Sequence, residues 1–176
     1  YYDENNELTG FDTEFAQLVF AELGLQPKFE VIDWNIKETE LKGKTIDCIW
    51  NGMTISDELK ENLSITLPYV QNKQVAVIKA DRASEFTSVE SMADAAIAAE
   101  GGSAGEKVVQ EKFPDATLNS LTAQSDTLLE VKSGTSDIAI IDYVMAKEMV
   151  GEGTNYADLM IVENVEFGFE EYGIAF

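Results

Sequence analysis

Small polar residues follow an apolar run in the stretch DCIWNGMTISDELK, residues 47–60. Asn51 and Gly52 come directly after the run, and Thr54 and Ser56 precede a predicted helix with an acidic first turn. Glycine lets a backbone approach a ligand closely, and a threonine hydroxyl both donates and accepts hydrogen bonds. The spacing therefore indicates either a site for the polar group of a small ligand or an ordinary strand-to-helix turn with Ser56 as its N-cap.

A second candidate site is the glycine-rich turn in EGGSAGE, which opens another predicted helix. The unpaired N–H groups of a helix N-terminus and the helix dipole attract a carboxylate. Glu100 precedes this turn and adds a negative charge close to it. The residues that we expect at the helix N-terminus are Gly102, Ser103, Ala104 and Gly105.

Asp142 follows the apolar run IAII at the end of a predicted buried strand. A carboxylate in such a place is costly to bury unless a cationic group meets it. Asp142 is therefore a candidate for binding a ligand cation. The alternative is that it caps the following predicted helix, VMAKEMV.

Composition excludes several classes of function. The chain has 176 residues, 45% of them hydrophobic, and a net charge of −21 from 33 acidic and 12 basic residues. This charge repels nucleic acids and anionic lipids, so neither is an expected partner. The content of apolar residues is sufficient for a core. The sequence has no run of 18 apolar residues, so it predicts no membrane span.

The sequence contains no histidine and a single cysteine, Cys48. The usual general base, the Ser-His and Cys-His nucleophile pairs and imidazole metal sites are therefore excluded. Cys48 lies within an apolar run, where a buried and unreactive thiol is expected. We expect no catalytic residue, no metal and no cofactor.

Helical and strand patterns alternate along the chain. GFDTEFAQLVFAELG predicts an amphipathic helix that Asp12 caps and Gly24 ends, with an apolar face of Phe15, Leu18, Val19 and Leu23. PKFEVID alternates like a strand and places Trp34 at its end. Further predicted strands are IDCIW, QVAVIKA, AAIAAE, SDIAIID and LMIVEN. This order predicts an α/β protein with a largely parallel sheet.

Two segments repeat one pattern at a spacing of 90 residues. ELKGKTIDCIWN and EVKSGTSDIAII both predict a helix end, a glycine turn and an apolar strand, with the matched pairs Glu40/Glu130, Thr45/Thr135 and Asp47/Asp137. The match is either a chance likeness between helix-turn-strand units or a sign of two lobes of similar build. In the second case Asn51 and Asp142, at the carboxyl ends of the echoing strands, would face one cleft.

The order and spacing of five segments resemble the extracellular solute-binding proteins, family 3, the amino-acid-binding components of ABC importers. The segments are LTGFDTEFAQLVFAELG, IDCIWNGMTIS, EGGSAGEKV, SDIAIIDYVMA and EYGIAF. The resemblance implies the periplasmic-binding-protein type II fold, in which two hinge strands join two α/β lobes. The family's first strand would precede Tyr1 and its C-terminal elements would follow Phe176, so the chain resembles a core excerpt of a longer protein.

The resemblance implies a discontinuous lobe 1, residues 1–71 and 167–176, and a lobe 2, residues 72–166. The hinge crossings are expected near residues 70–73 and 166–171. It also implies an extracytoplasmic location, in the periplasm or as a cell-surface lipoprotein, and membrane permease subunits as partners. The ligand would be an amino acid or a related small polar solute.

The resemblance further implies roles for single residues. Trp34 matches an aromatic residue that stacks on the ligand, although a core tryptophan is the alternative, and Asp142 matches an acid that pairs with the α-ammonium group. Leu59 stands where the family has an arginine for the ligand carboxylate, and Lys60 lies about 100° further around the helix. Either backbone groups replace that arginine or the ligand is a cation. The segment that holds the polar groups of the ligand comprises Asn51, Gly52, Met53 and Thr54.

Two other functions remain open from the sequence. Family relatives include dehydratases, and in such an enzyme Glu100 or Asp142 would donate the proton. A ligand-sensing module of a membrane receptor is the other alternative. The full reading frame distinguishes the sensor, because a sensor continues into a membrane span.

Overall fold

The computed structural model describes residues 7–176, which form six α-helices, six strands and three short 3-10 turns. The helices are α1 (Phe11–Glu22), α2 (Lys37–Lys42), α3 (Asp57–Asn62), α4 (Ala104–Lys112), α5 (Gln124–Ser133) and α6 (Tyr143–Met149). The strands are β1 (Val70–Lys79), β2 (Ala96–Glu100), β3 (Thr117–Leu121), β4 (Ile138–Asp142), β5 (Leu159–Ile161) and β6 (Phe169–Tyr172). The predicted α/β class is confirmed.

The chain forms two compact units. Unit 1 contains the chain up to Ile32 and the segments Ile36–Gln71 and Glu171–Phe176. Unit 2 contains Asp33–Asn35 and Asn72–Glu170. The boundaries between the units therefore fall inside β1 and β6.

The sheet of unit 2 has the strand order β3-β2-β4-β1-β5. β2 pairs in parallel with β3 and β4, whereas β1 pairs antiparallel with β4 and β5. Helices α4 and α5 supply the crossovers that parallel neighbours require. The link from β1 to β2 contains only 3-10 turns. The sheet is thus mixed, and the prediction of a largely parallel sheet was too simple.

Alternate side chains of the central strands enter two separate cores, as the two-residue period of a strand requires. Ile78 and Ile140 belong to one core, which includes Phe113 after α4. Val77 and Ile141 belong to the other core, which includes Leu128 of α5. Apolar residues fill both faces of these strands, so their ends are fixed in position by packing on two sides.

The C-terminal segment Glu171–Phe176 organises unit 1 by hydrogen bonding to two other segments. On one side Ile49 and Ala175 exchange both backbone hydrogen bonds, with N···O distances of 2.9 and 3.1 Å. On the other side the amide of Thr66 donates to the carbonyl of Ile174 at 3.0 Å. The predicted strand IDCIW is only an isolated bridge at Ile49, so the prediction of a full strand was wrong.

The segment PKFEVID forms no strand, contrary to its alternating pattern. A strand needs a neighbour to accept and donate its backbone hydrogen bonds, and no described residue pairs with this segment. Trp34 begins a 3-10 turn, Trp34–Ile36, that follows the segment.

Helix α1 differs from its prediction at both the cap and the buried face. Its N-cap is Gly10, with φ of 108° and no side-chain cap, so Asp12 is not the cap. Leu18 and Leu23 are 68% and 66% exposed, and the buried residue of the helix is Ala16. Phe15 and Val19 are partly buried, so the predicted apolar face was right at these two residues and wrong at Leu18 and Leu23.

The two echoing segments end their helices in the same way. The amide of Thr45 donates to the carbonyl of Glu40 at 3.1 Å, and the amide of Thr135 donates to the carbonyl of Glu130 at 3.0 Å. Each bond lies within its own unit. The repeat in sequence thus corresponds to a repeat of local backbone structure.

Asp137 joins three elements of unit 2 at the start of β4. Its carboxylate accepts from Arg82 Nη1 at 2.5 Å and from the amide of Ala96 at 2.9 Å, and Arg82 also pairs with Glu85. Burial raises the pKa of Asp137, but the hydrogen bonds from Arg82 and Ala96 outweigh it, and the pKa lies below its usual value. The ionised form therefore contributes stability above the pKa of the unfolded chain, and this contribution is lost as the pH falls through the folded pKa.

We predict that Asp137→Asn lowers the free energy of unfolding by roughly 1 kcal/mol at pH 7, because it removes the charge that Arg82 meets. Urea unfolding at a series of pH values checks this, and the difference from wild type should close below about pH 4. Asp115→Asn, at an exposed position, is the matched control. A difference that stays constant down to pH 3 contradicts the prediction.

Candidate functional site

Gly52 is the central residue of the polar segment in unit 1. Its φ of 58° is left-handed, and a Cβ there would lie 3.4 Å from Cζ of Tyr172. Its amide donates to Asp12 Oδ2 at 2.8 Å and lies 3.3 Å from the hydroxyl of Tyr69. The backbone conformation thus favours glycine here, and its own N–H already has protein acceptors.

Asp12 lies under this segment, among aromatic rings. The ring of Phe15 packs against those of Trp50 and Tyr69, with centroids 5.3 and 5.6 Å apart. Burial raises the pKa of Asp12, and hydrogen bonds with Tyr69 and Gly52 only partly oppose that effect. Asp12 Oδ1 is buried without a hydrogen-bond partner among the described residues. Asp12 therefore positions the loop rather than capping its helix.

The other predicted residues of this segment differ in exposure. Met53 is 1% exposed and belongs to the core of unit 1, and its carbonyl accepts from the amide of Gly173 at 3.0 Å. Asn51 is exposed, and Thr54 is partly exposed and forms an isolated bridge with Tyr172. Asn51 and Thr54 are therefore the side chains of the segment that can reach a solute.

Helix α3 begins as the sequence predicts. Ser56 is its N-cap, and its Oγ accepts from the amide of Leu59 at 3.1 Å. Leu59 is partly buried. Lys60 Nζ lies 3.6 Å from Asp57 Oδ1, and both side chains are largely exposed. The cation of Lys60 is thus paired at the surface, and Leu59 contributes only apolar area.

In unit 2 the predicted glycine-rich turn forms the N-terminus of α4. Ser103 is the N-cap, and its Oγ accepts from the amide of Glu106 at 3.1 Å, while Glu106 Oε2 accepts from the amide of Gly102 at 2.8 Å. A Cβ at Gly105 would lie 2.7 Å from the carbonyl oxygen of Ile140, so only glycine fits there. Ala104 is the first residue of the helix.

The turn that carries Trp34 packs on the same glycines. A Cβ at Gly102, whose φ is 69°, would lie 3.0 Å from Cα of Asn35. Trp34 is partly exposed, and Glu100 ends β2 just before the glycines. Unit 2 therefore brings Trp34, Glu100 and the N-terminus of α4 into one neighbourhood.

Asp142, the last residue of β4, accepts hydrogen bonds from three amide side chains. The donors are Asn72 Nδ2 at 2.9 Å, Gln74 Nε2 at 2.5 Å and Gln124 Nε2 at 3.0 Å. Asp142 occupies the N-cap position of α6, but its side chain accepts no cap hydrogen bond. Its carboxylate is thus held by β1 and α5, and the alternative of a side-chain cap is wrong.

A second carboxylate, Glu170 of β6, shares two of these donors. Asn72 Nδ2 and Gln74 Nε2 lie 2.5 and 2.8 Å from Glu170 Oε1. Sequence analysis missed Glu170 and both amides of β1. Asn72 and Gln74, which precede the apolar run VAVI of β1, were the only signal that could have indicated this cluster.

Neither a metal centre nor a membrane span emerges from residues 7–176. Within that range no three Cys, Asp or Glu side chains are grouped so that they could hold a metal ion. No helix within it is long and apolar enough to cross a membrane.

Comparison with known proteins gives one family and many similar structures. The model of the family described as "Bacterial extracellular solute-binding proteins, family 3" matches residues 1–145. The probable amino-acid-binding protein YxeM of Bacillus subtilis (strain 168) is 31% identical over 138 residues, which are 77% of this chain and 52% of YxeM. ABC transporter arginine-binding protein 1 of Escherichia coli (strain K12) is 25% identical over 82% of this chain and 58% of its own length.

Among solved structures, an ancestral arginine-binding protein bound to arginine superposes with a TM-score of 0.90 at 29% identity. The match covers 99% of this chain and 77% of that one. The predicted periplasmic-binding-protein fold is thereby confirmed. The chain spans a little over half the length of the two curated relatives.

We predict that Asp12→Asn raises stability at neutral pH. The pKa of Asp12 is higher in the folded than in the unfolded protein, so stability falls as the pH rises from about 3.9 through the folded pKa. The neutral amide of asparagine does not ionise, so the variant avoids this loss. Thermal unfolding at pH 3 to 8 checks it: the variant should melt higher than wild type at pH 7 and equally at pH 3. The exposed Asp57→Asn is the control, and an Asp12→Asn protein that melts lower at pH 7 contradicts the assignment.

Proposed function

The chain belongs to the bacterial extracellular solute-binding proteins, family 3, and from this premise we propose that it captures a free amino acid outside the cytoplasm for an ABC importer. The observation that carries the proposal is the pairing, within unit 2, of an amide-held carboxylate with a helix N-terminus. These two features are complementary to the α-ammonium and α-carboxylate groups of an amino acid. The relatives named as amino-acid-binding proteins support it.

Asp142 is the proposed partner of the α-ammonium group. Three side-chain amides hold its carboxylate, so its position is fixed before a ligand arrives. A preorganised carboxylate loses little conformational entropy on binding. Hydrogen bonds between charged groups are about twice as strong as neutral ones, so this contact should dominate the binding energy.

The N-terminus of α4 is the proposed site of the α-carboxylate. Nine residues of helix follow Ser103, and the glycines at 102 and 105 keep Cβ atoms away from the turn. A helix N-terminus contributes roughly 0.3–2 kcal/mol toward a bound anion. Trp34, beside the same turn, offers an aromatic surface to the ligand.

Unit 1 contributes the exposed polar groups of Asn51 and Thr54 and the apolar side chain of Leu59. In this proposal the two units are the two lobes of the binding protein, and β1 and β6 are its hinge strands. Backbone groups take the role of the arginine that Leu59 replaces. Glu100, near the turn, faces the ligand as a further acceptor.

The proposal includes delivery to membrane permease subunits and an extracytoplasmic location. The family description as extracellular supports the location, and the relative named as an ABC transporter arginine-binding protein supports the permease partner. It also includes binding without chemical conversion, since the chain has no histidine to act as a general base.

We predict that Asp142→Asn weakens the binding of L-arginine by at least about tenfold, because a charged hydrogen-bond acceptor is lost. Leu59→Arg should bind equally or more tightly, since it adds a bidentate donor for the carboxylate. Calorimetry with a panel of free amino acids measures both. Asp115→Asn, at an exposed site, should behave as wild type. Normal binding by Asp142→Asn would show that the site is assigned wrongly.

We predict that the protein returns its ligand unchanged. Incubation with the amino acids that bind, followed by mass spectrometry of the solution, should show no product after many multiples of the residence time of the complex. Heat-denatured protein gives the background. Steady formation of a product that needs folded protein would instead support the enzyme alternative.

A further inference from the structure

Glu170 places a second carboxylate beside Asp142 within unit 2. A single nitrogen, Gln74 Nε2, lies 2.5 Å from Asp142 Oδ1 and 2.8 Å from Glu170 Oε1. Asn72 Nδ2 bridges the same two oxygen atoms. Two carboxylates that share both donors must lie next to each other, and their charges repel unless a cation neutralises them.

Gln74 gives an independent indication of a missing donor. Its side chain is 3% exposed, and its Nε2 is used by the two carboxylates. Its Oε1 is buried and accepts no hydrogen bond from any described residue. A buried amide oxygen without a donor is rare in folded proteins. It lies 3.0 Å from the place of a Cβ at Gly105, at the helix N-terminus of the proposed site.

The charge of Glu170 itself meets no basic side chain among residues 7–176. Lys73, the neighbour of both amides on β1, instead pairs with Glu166 at 3.1 Å. Since side chains alternate along a strand, Lys73 points away from Asn72 and Gln74.

Resting on the proposed function, we propose that Glu170 determines specificity by giving the amino-acid site a surplus negative charge that selects ligands with net positive charge. An α-ammonium group has three donors, which Asp142, Glu170 and Gln74 Oε1 can accept. That group neutralises only one of the two carboxylates. The remaining charge attracts a second cation on the ligand, so a basic amino acid binds more tightly than a zwitterion of equal size.

L-Arginine and L-citrulline test the proposal, because they share the α-amino-acid group and differ in a charged guanidinium against a neutral ureido group. Wild type should bind arginine about tenfold or more tightly than citrulline in low salt. Glu170→Gln keeps an acceptor oxygen for Asn72 and Gln74 but removes the charge. It should reduce the affinity for arginine about tenfold and that for citrulline less than threefold.

Glu171→Gln is the matched control, since it removes the same charge from the next residue of β6, on the opposite face of the strand. It should keep the preference of wild type for arginine. Melting temperatures of all variants verify that they are folded, and Glu170→Asp, which keeps the charge, should also retain the preference.

The outcomes separate the two proposals. If wild type binds arginine and Glu170→Gln keeps its preference over citrulline, or loses affinity equally for both, this inference is overturned while the proposed function stands. If wild type binds no free amino acid at all, the proposed function is overturned and the inference with it. A preference that Glu170→Gln alone abolishes supports both.

Discussion

Two buried amide side chains on β1 are the constraint on which the site of unit 2 depends. Asn72 and Gln74 are each 3% exposed, and a buried amide needs acceptors for its N–H groups. Asp142 and Glu170 provide these acceptors from two different strands. Because leaving a buried donor unsatisfied costs about 1–3 kcal/mol, the amides fix the ends of β1, β4 and β6 together. A site on these ends is therefore rigid without any contribution from loops.

Unit 1 uses the same principle, with a backbone amide in place of a side-chain amide as the donor. There the backbone donates and a buried side chain accepts, since the amide of Gly52 binds Asp12 at 2.8 Å. The left-handed φ of Gly52 points that amide at the carboxylate, and the aromatic rings keep water away from it. The cost is visible in the raised pKa of Asp12. The hydrogen bond between Gly52 and Asp12 therefore fixes the backbone of the polar segment, and with it the orientation of the side chains of Asn51 and Thr54.

Sequence patterns predicted the parts of the fold that depend on local interactions. The apolar runs of β1 and β4, and the helix that opens at the glycine-rich turn, appear where the patterns place them. The strand prediction for PKFEVID was wrong because an alternating pattern specifies which side chains are exposed but not which segment pairs with the strand. The prediction that Asp12 caps α1 was wrong for a related reason. Aspartate at a helix start favours capping, but here its carboxylate binds the amide of Gly52, which is distant in sequence.

The candidate site could be predicted where a residue type has a single local explanation. Gly102 and Gly105 have positions that only glycine can occupy, and the sequence pointed to both. No sequence pattern distinguished Glu170 from other acidic residues, which are abundant in a chain with a net charge of −21. Its importance arises from a contact with Asn72 across 98 residues of sequence, and no local pattern encodes such a contact.

The charge of the proposed site in unit 2 depends on two carboxylates, those of Asp142 and Glu170. A site that held its ligand's carboxylate with an arginine would carry a positive charge to oppose Asp142. In unit 2 the carboxylate of Glu170 adds to that of Asp142 and moves the local charge in the negative direction. Electrostatic selection depends on this sum rather than on any one contact, because charges in a partly buried site act over several ångströms. In the proposed function Glu170 therefore acts together with Asp142, which lies in the same unit of the chain.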